Sequence, residues 1–304
     1  MAIVGGGPAG LSAALWLGRY LHSVVVIDSG DPRNWETRGI NGFLGSHGIR
    51  SPALRQCGRD NAKEFGVEFI DTTVETARNE NSERFTLTLD DGSEIRSRRI
   101  LLTTGIKDVW PRIEGLGECY GETAHVCPDC DGYEGRDSKT VVIGSGRKAV
   151  GMALALTTWT DQIVICTNGA PADIQQGHLD KLKALNIPVL EEKVEAITSK
   201  DGEIRCVNLE SGMQLDCDKL YFAIGQRPAD EQASRETLGE QLSCDLDESG
   251  LIVADEKHRT SVMNVFAAGD IVPGPQLAIV AASEGAIAAL AIHASLVPES
   301  RKME

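Results

Sequence analysis

Cys127 and Cys130 stand two residues apart in HVCPDCDGYEG, His125–Gly135, with Asp131 and Gly132 directly after them. Three chemistries fit such a pair. A structural zinc site needs four ligands, usually from a second close pair. His125 is one further candidate, but Cys206 and Cys217 are too widely spaced to form another Cys-x-x-Cys. Inert thiols are the second reading. A working disulfide is the third, and the residues favour it. The small ring lets the S–S bond open and re-form with little rearrangement, and one thiolate can attack while its neighbour leaves. Asp131 can pass a proton to or from the departing thiolate; its structural alternative is a helix cap beside Gly132. Asp129 adds negative charge, which raises thiol pKa values. No metal site is expected.

Two glycine-rich turns are the elements that would serve such a centre. AIVGGGPAGLSAALWL and TVVIGSGRKAVGMALAL each lead from a β-branched strand through glycines into a small-residue helix, and each is followed by another apolar strand. This is the βαβ dinucleotide-binding signature, twice. In the first, Gly5 permits the tight turn, Gly7 lets the backbone approach a pyrophosphate, and Gly10 lets helix and strand pack closely. Pro8 and Ala9 complete the turn, and the helix N-terminus offers amides and dipole to phosphate. Asp28 ends the next strand, where a carboxylate holds ribose hydroxyls or serves as a surface cap. In the second, Gly144, Gly146 and Ala149 fit G-x-G-x-x-A, and Arg147 and Lys148 either reach a phosphate or face solvent. RFTLTLDDGSEIRSRRILLTTG and GEIRCVNLESGMQLDCDKLYFAIG each alternate, turn and end in a buried strand. They read as hairpins, so the second half echoes the first. NVFAAGDIVPGPQLAIVAASEGAIAALAIHASL adds a strand, a Gly269-Asp270 turn and a long helix; Thr104-Gly105 forms a companion turn.

The 304 residues suggest two domains or one large one, and 41% hydrophobic with 25% charged residues indicates a folded globular chain. A net charge of -15 argues against nucleic acid and against an anionic membrane surface. No apolar run is expected to reach the ~20 residues of a membrane span. MAIVGGGPAG enters a strand at once, with no signal peptide visible; either that strand is short or residues precede it. Eight scattered cysteines read as mostly reduced thiols in a cytoplasmic protein.

GGGPAGLSAA, TTG, CPDCDG, GSGRKA, AIGQRP and AAGD, in this order, resemble the low-molecular-weight thioredoxin reductases of the pyridine nucleotide-disulfide oxidoreductase superfamily, over nearly the whole chain. DSGDPRNWETRGINGFLG is similar to the broader thioredoxin-reductase-like subset. The resemblance implies an α/β fold of two Rossmann-like, three-layer dinucleotide-binding domains. Residues 1–112 and 245–304 would form a discontinuous FAD domain, and 113–244 the domain carrying CPDC, with Pro111–Gly117 and Glu236–Glu248 as linkers. It places the FAD on the first glycine turn with Asp28, Ser29, Arg33 and Asn41. Thr104 and Gly105, Gly269 and Asp270, and Gln276, Leu277 and Ala278 would join it there. It makes Cys130 the sulfur facing the flavin, Cys127 the interchange thiol and Asp131 the acid.

Three departures mark this chain. Gln276-Leu277-Ala278 stands where the family has Arg-Gln-Ala. VICTNGAPADIQQGH lacks the arginines that grip the NADPH 2′-phosphate and the acid that favours NADH. Pro128 and Asp129 replace the usual small pair between the cysteines. The expected activity is FAD-dependent thiol–disulfide exchange with a thioredoxin-like protein or a small-molecule disulfide or dithiol, in a homodimer. NADPH or NADH use is in doubt, and another dinucleotide could fill the second site. A dithiol oxidase running in the opposite direction is the alternative, as is a ferredoxin-dependent reductase. The latter needs a basic patch, for which RSRR at Arg96–Arg99 is the dense candidate. A non-catalytic flavin- or zinc-binding protein is opposed by the intact Cys127, Cys130 and Asp131.

Overall fold

A computed structural model describes residues 1–33, 35–81, 83–223, 225–231 and 235–301; Ile224 of AIGQRP lies outside the described residues. The chain forms two compact units. Unit 1 comprises Met1–Trp35, Phe43–Asp108 and the chain from Gln226 onward; unit 2 comprises Glu36–Gly42 and Val109–Gly225. The first stretch of chain carries β1 (Ala2–Val4), α1 (Pro8–Arg19), β2 (Val25–Asp28), α2 (Ser51–Lys63), β3 (Glu68–Asp71), β4 (Val74–Asn81), β5 (Arg84–Leu89), β6 (Glu94–Ser97), β7 (Ile100–Leu102) and β8 (Ile106–Val109). Then come α3 (Leu116–Cys119), β9 (Ala124–His125), α4 (Pro128–Asp131), β10 (Thr140–Ile143), α5 (Gly146–Leu156), β11 (Ile163–Cys166), α6 (Gln176–Ala184), β12 (Val189–Leu190), β13 (Val194–Lys200), β14 (Glu203–Leu209), β15 (Gln214–Asp216) and β16 (Lys219–Phe222). The return carries β17 (Gly225–Pro228), α7 (Leu238–Gln241), β18 (Val265–Ala267) and α8 (Ala278–Leu296).

Unit 1 is built on a parallel sheet in the order β18-β7-β1-β2-β3. Its strands are continuous apolar runs because both faces are covered. Ile3, Val26, Leu101 and Phe266 face α1, α2 and α8, whereas Val4, Ile27, Leu102 and Ala267 face the antiparallel β4-β5-β6 sheet through Phe85 and Leu87. Unit 2 repeats this plan. A parallel β12-β11-β10-β16-β9 sheet has α5 and α6 on one face and the antiparallel β13-β14-β15 sheet on the other. The two Rossmann-like layers and the internal repeat are those the glycine turns imply. β8 and β17 pair as a ribbon where the chain leaves unit 1 and returns.

Two expectations are corrected. The return falls at Gly225/Gln226, not at residue 244/245, so residues 226–244 are not part of the CPDC unit. Glu236–Glu248 is polar enough to read as a linker, but Thr237 and Glu240 form a reciprocal capping box on α7. Leu238, Leu242 and Cys244 are buried in the unit 1 core. The second correction is α8, which is long and apolar enough, by length and composition alone, to cross a membrane. In unit 1 it lies against α1, so closely that a Cβ on Gly285 would stand 2.0 Å from the Ala9 carbonyl oxygen.

Candidate active site

In unit 2, Cys127 and Cys130 form a disulfide with Cα atoms 5.3 Å apart. The local sequence builds it. Cys127 is the N-cap of α4 with Pro128 at the first helical position, and the Cys130 N–H donates to Cys127 Sγ at 3.1 Å. Gly132 follows because a Cβ there would lie 2.5 Å from the Trp159 ring. Asn41, expected at the cofactor, donates from Nδ2 to the Cys130 carbonyl at 2.9 Å. Its segment belongs to unit 2.

Asp131 lies beside His125, with Nδ1 to Oδ2 at 3.5 Å, and its backbone carbonyl accepts a 3.0 Å hydrogen bond from the Tyr221 hydroxyl. Burial, helped by Glu134 and opposed by Lys219, raises the Asp131 carboxyl to about 6. Burial, then the Lys219 and Arg38 cations, lowers His125 to about 3. A carboxyl poised near 6 beside a disulfide can carry a proton to or from sulfur. Burial also lowers the Lys219 pKa and raises that of Tyr221. Sequence reasoning gave Tyr221 and Lys219 no role; the available signal was their alternate placement on one strand.

In unit 1 the other expected residues gather at the C-terminal edge of the parallel sheet, where α/β folds bind ligands. Gly5, at φ 107°, has no room for a side chain, since a Cβ would meet the Thr103 carbonyl oxygen at 2.2 Å. A Cβ on Gly10 would meet the Gly5 carbonyl oxygen at 2.0 Å. Gly7 differs: nothing lies within 4 Å of its Cβ position. It caps α1 with Pro8 next, no side chain capping the amides and no acid in the first turn. Ala9 packs inward. That open, uncapped turn fits a dinucleotide pyrophosphate. Gly105, at φ 71°, is similarly open beside Thr104.

Asp28 is buried beneath this turn. It accepts from the Gly6 N–H at 3.1 Å and from Arg55 at 2.5 Å, with Arg59 at 3.4 Å; Ser29 is exposed just beyond. Arg55 also donates to the Gly6 carbonyl. Sequence reasoning missed Arg55 and Arg59, whose four-residue spacing on α2 puts both toward Asp28. Arg33 donates to Asp108 through Nε at 3.0 Å and Nη2 at 2.8 Å, to Asp270 at 3.2 Å and to Gln276 at 2.9 Å. Burial raises the Asp270 pKa against the pull of Arg33. Gln276 also exchanges hydrogen bonds with Gln226. Arg33 thus brings a cation to Gln276, where the family motif has its arginine. Leu277 caps α8 without a side-chain hydrogen bond, and Ala278 is its first residue. Gly269 donates its N–H to Glu284 at 2.7 Å. Gln226 lies in the AIGQRP motif but was given no role from the sequence, and Asp108 and Glu284 had no signal there.

The second glycine turn borders a cavity of about 320 Å³ lined by Gly144, Ser145, Lys148, Thr167, Asn168 and neighbours. Among the described residues, Lys148 is the one cation in that lining; Arg147 is exposed and Ala149 buried. Thr167 and Asn168 stand where the strand-end selectivity residue belongs, and Asn168 Oδ1 accepts from the Val194 N–H at 3.0 Å. The Gly146 N–H, which would face a pyrophosphate, donates to the Ala172 carbonyl at 2.8 Å. RSRR is no free basic patch: Arg96 faces Glu94, and Arg98 and Arg99 both pair with Glu83.

The family model for pyridine nucleotide-disulphide oxidoreductases matches residues 1–285. A thioredoxin reductase of Helicobacter pylori is 27% identical over 308 residues, covering 96% of each chain. Among solved structures, HlmI aligns with a TM-score of 0.90 at 32% identity, covering 97% of this chain and 91% of its own. A putative thioredoxin reductase from Bacillus anthracis aligns with a TM-score of 0.89 at 30% identity, covering 97% of each. With its disulfide, its paired glycine turns and these relatives, the chain belongs to the pyridine nucleotide-disulphide oxidoreductase family and is an oxidoreductase of the thioredoxin reductase-like kind.

Proposed function

We propose that the chain is an FAD-dependent thiol–disulfide oxidoreductase that exchanges electrons with an external protein or small-molecule dithiol or disulfide through Cys127 and Cys130. The Cys127–Cys130 disulfide beside the half-buried Asp131 carboxyl carries this reading. FAD would be held in unit 1 by the Gly5–Gly10 turn, Asp28, Thr104, Gly105, Gly269, Asp270 and the start of α8. Bound there, the flavin supplies a two-electron store for the disulfide. Cys127, as the interchange thiol, meets the partner. Asp131 delivers or takes the proton as a thiolate leaves or forms. Thioredoxin or a thioredoxin-like protein is the partner that the relatives support. The family habit supports a homodimer, and the free cysteines support a reducing, cytoplasmic setting.

Dithiol oxidation without a pyridine nucleotide is the second reading. The Gly146 N–H bonded to Ala172, and Thr167-Asn168 at the strand end, favour it. The paired state of Arg96, Arg98 and Arg99 counts against RSRR as a ferredoxin-docking patch.

The test is the anaerobic visible spectrum of the flavin-loaded protein. NADPH, NADH and a dithiol are added separately in slight excess. Bleaching by the dithiol is expected and its absence would overturn the proposal; bleaching by the dithiol with none by either nucleotide would favour the second reading. Rapid bleaching by NADPH would instead make the chain a nucleotide-driven disulfide reductase.

A further inference from the structure

We propose that Arg33, fixed by Asp108, stands in for the arginine that the family motif has at position 276, and that its charge sets the balance between oxidised and reduced FAD. The inference rests on the reading that FAD lies in unit 1 at the start of α8.

The fork of Arg33 is taken up by one carboxylate. Nε and Nη2 donate to the two Asp108 oxygens at 3.0 and 2.8 Å, and the Asp108 side chain is 2% exposed. Two parallel bonds to one planar acceptor fix the guanidinium plane. The remaining nitrogen is therefore aimed. Nη1 reaches Asp270 at 3.2 Å and the Gln276 amide oxygen at 2.9 Å. Gln226 on β17 closes the ring. It exchanges two hydrogen bonds with Gln276, at 2.9 and 3.0 Å, and donates to Asp108 at 3.3 Å. Asp108 is thus a positioning residue, and the ring lies wholly in unit 1.

This ring accounts for a glutamine at 276. Arg33 Nη1 needs an acceptor there, and the amide oxygen supplies one. An arginine side chain offers donors only and brings a second positive charge. With Arg33 in place it would leave Nη1 without that acceptor and would face a like charge. The motif arginine and Arg33 therefore exclude each other. The departure at 276 and the cation from the loop after β2 are two halves of one arrangement, 243 residues apart in the chain.

Charge at this place has a chemical effect. Adding two electrons and one proton to the ring system of FAD leaves it with one negative charge, so nearby charges shift its reduction potential. α8 begins here with amides that no side chain caps. Beside them stand one guanidinium and two carboxylates, those of Asp108 and Asp270. Removing Arg33 makes the sum more negative by one unit, and neutralising Asp108 makes it more positive by one. A residue that only shapes the pocket changes the affinity for both forms of FAD equally and leaves the potential where it was.

The test measures two quantities on the holoprotein: the Kd for FAD, from flavin fluorescence, and the flavin potential, from anaerobic reduction against a reference dye. Arg33→Gln is expected to weaken FAD binding about 10-fold and to lower the potential by about 30 mV, a tenfold change in the two-electron equilibrium. Asp108→Asn is expected to weaken binding too, but to raise the potential. Exchanging the pair, Arg33→Gln with Gln276→Arg, is expected to return the parental potential, whereas Gln276→Arg alone should weaken binding. A parental or raised potential in Arg33→Gln makes the ring structural only and overturns the inference, as does a parental or lowered potential in Asp108→Asn. If Arg33→Gln holds no flavin, Asp108→Asn and the exchanged pair decide: a raised and a parental potential support the proposal, and any other result overturns it. A parent that binds no FAD overturns the reading of the cofactor site itself.

Discussion

Asp131 works against the fold that holds it. Its carboxyl titrates near 6 in the folded chain, against 3.8 for the ordinary group. Its raised value means that folding favours the protonated form. Stability is greatest below the unfolded pKa, declines as pH rises toward about 6 and is flat above it. Replacing it by asparagine is therefore expected to stabilise the protein at neutral pH, on the order of 2 kcal/mol relative to the parent. Thiol exchange should fall about 100-fold in the same variant. Urea unfolding of both proteins at acid and neutral pH checks this: a stability difference that does not grow between the two conditions would refute it. Cys127→Ser should retain flavin and fold but lose turnover of an external dithiol, read as thiol consumption.

The first glycine turn separates two kinds of glycine, and variants should separate them too. Gly10→Ala drives a methyl into the Gly5 carbonyl, so it should cost roughly 1–3 kcal/mol of stability and lose flavin. Gly7→Ala has free space around the added methyl. It should leave the denaturation midpoint almost unchanged while weakening flavin retention, because it fills the approach to the pyrophosphate. Equal stability losses in the two variants would contradict that division. Thr237→Ala should cost about 1 kcal/mol through its lost cap, in the unfolding of unit 1.

These elements also mark how far the sequence could be read. The two βαβ turns and the CPDC pair are local patterns in which spacing dictates geometry, so strand, turn, helix and sheet edge were all legible. α7 was not, because its acidic flanks outweighed the Thr237–Glu240 box and the Leu238–Leu242 spacing. Arg55, Asp108, Tyr221 and Lys219 escaped for another reason. Their neighbours in space are strands or helices distant in the chain, and no local pattern encodes that pairing. Asn41 was read only as a flavin contact, because its bond to Cys130 joins residues 89 apart in the chain and no local pattern encodes such a pairing.

At the scale of the whole molecule, two units with separate hydrophobic cores should respond separately to ligands. Adding FAD at about 100 times its Kd should stabilise unit 1 by about 2.7 kcal/mol and leave the melting of unit 2 in place. Calorimetry with and without FAD reads this directly; a single transition that moves as a whole would refute it.

The segment Glu36–Gly42 has a consequence for how such a protein can be cut and recombined. It is threaded through unit 2 although the chain on both sides of it belongs to unit 1. The CPDC unit is therefore not a cassette. A fragment spanning only Val109–Gly225 would keep both cysteines but lose Asn41 from the Cys130 carbonyl and Arg38 from the neighbourhood of His125. Shuffling between related enzymes at the two obvious junctions would graft a disulfide whose environment is partly written in the other parent.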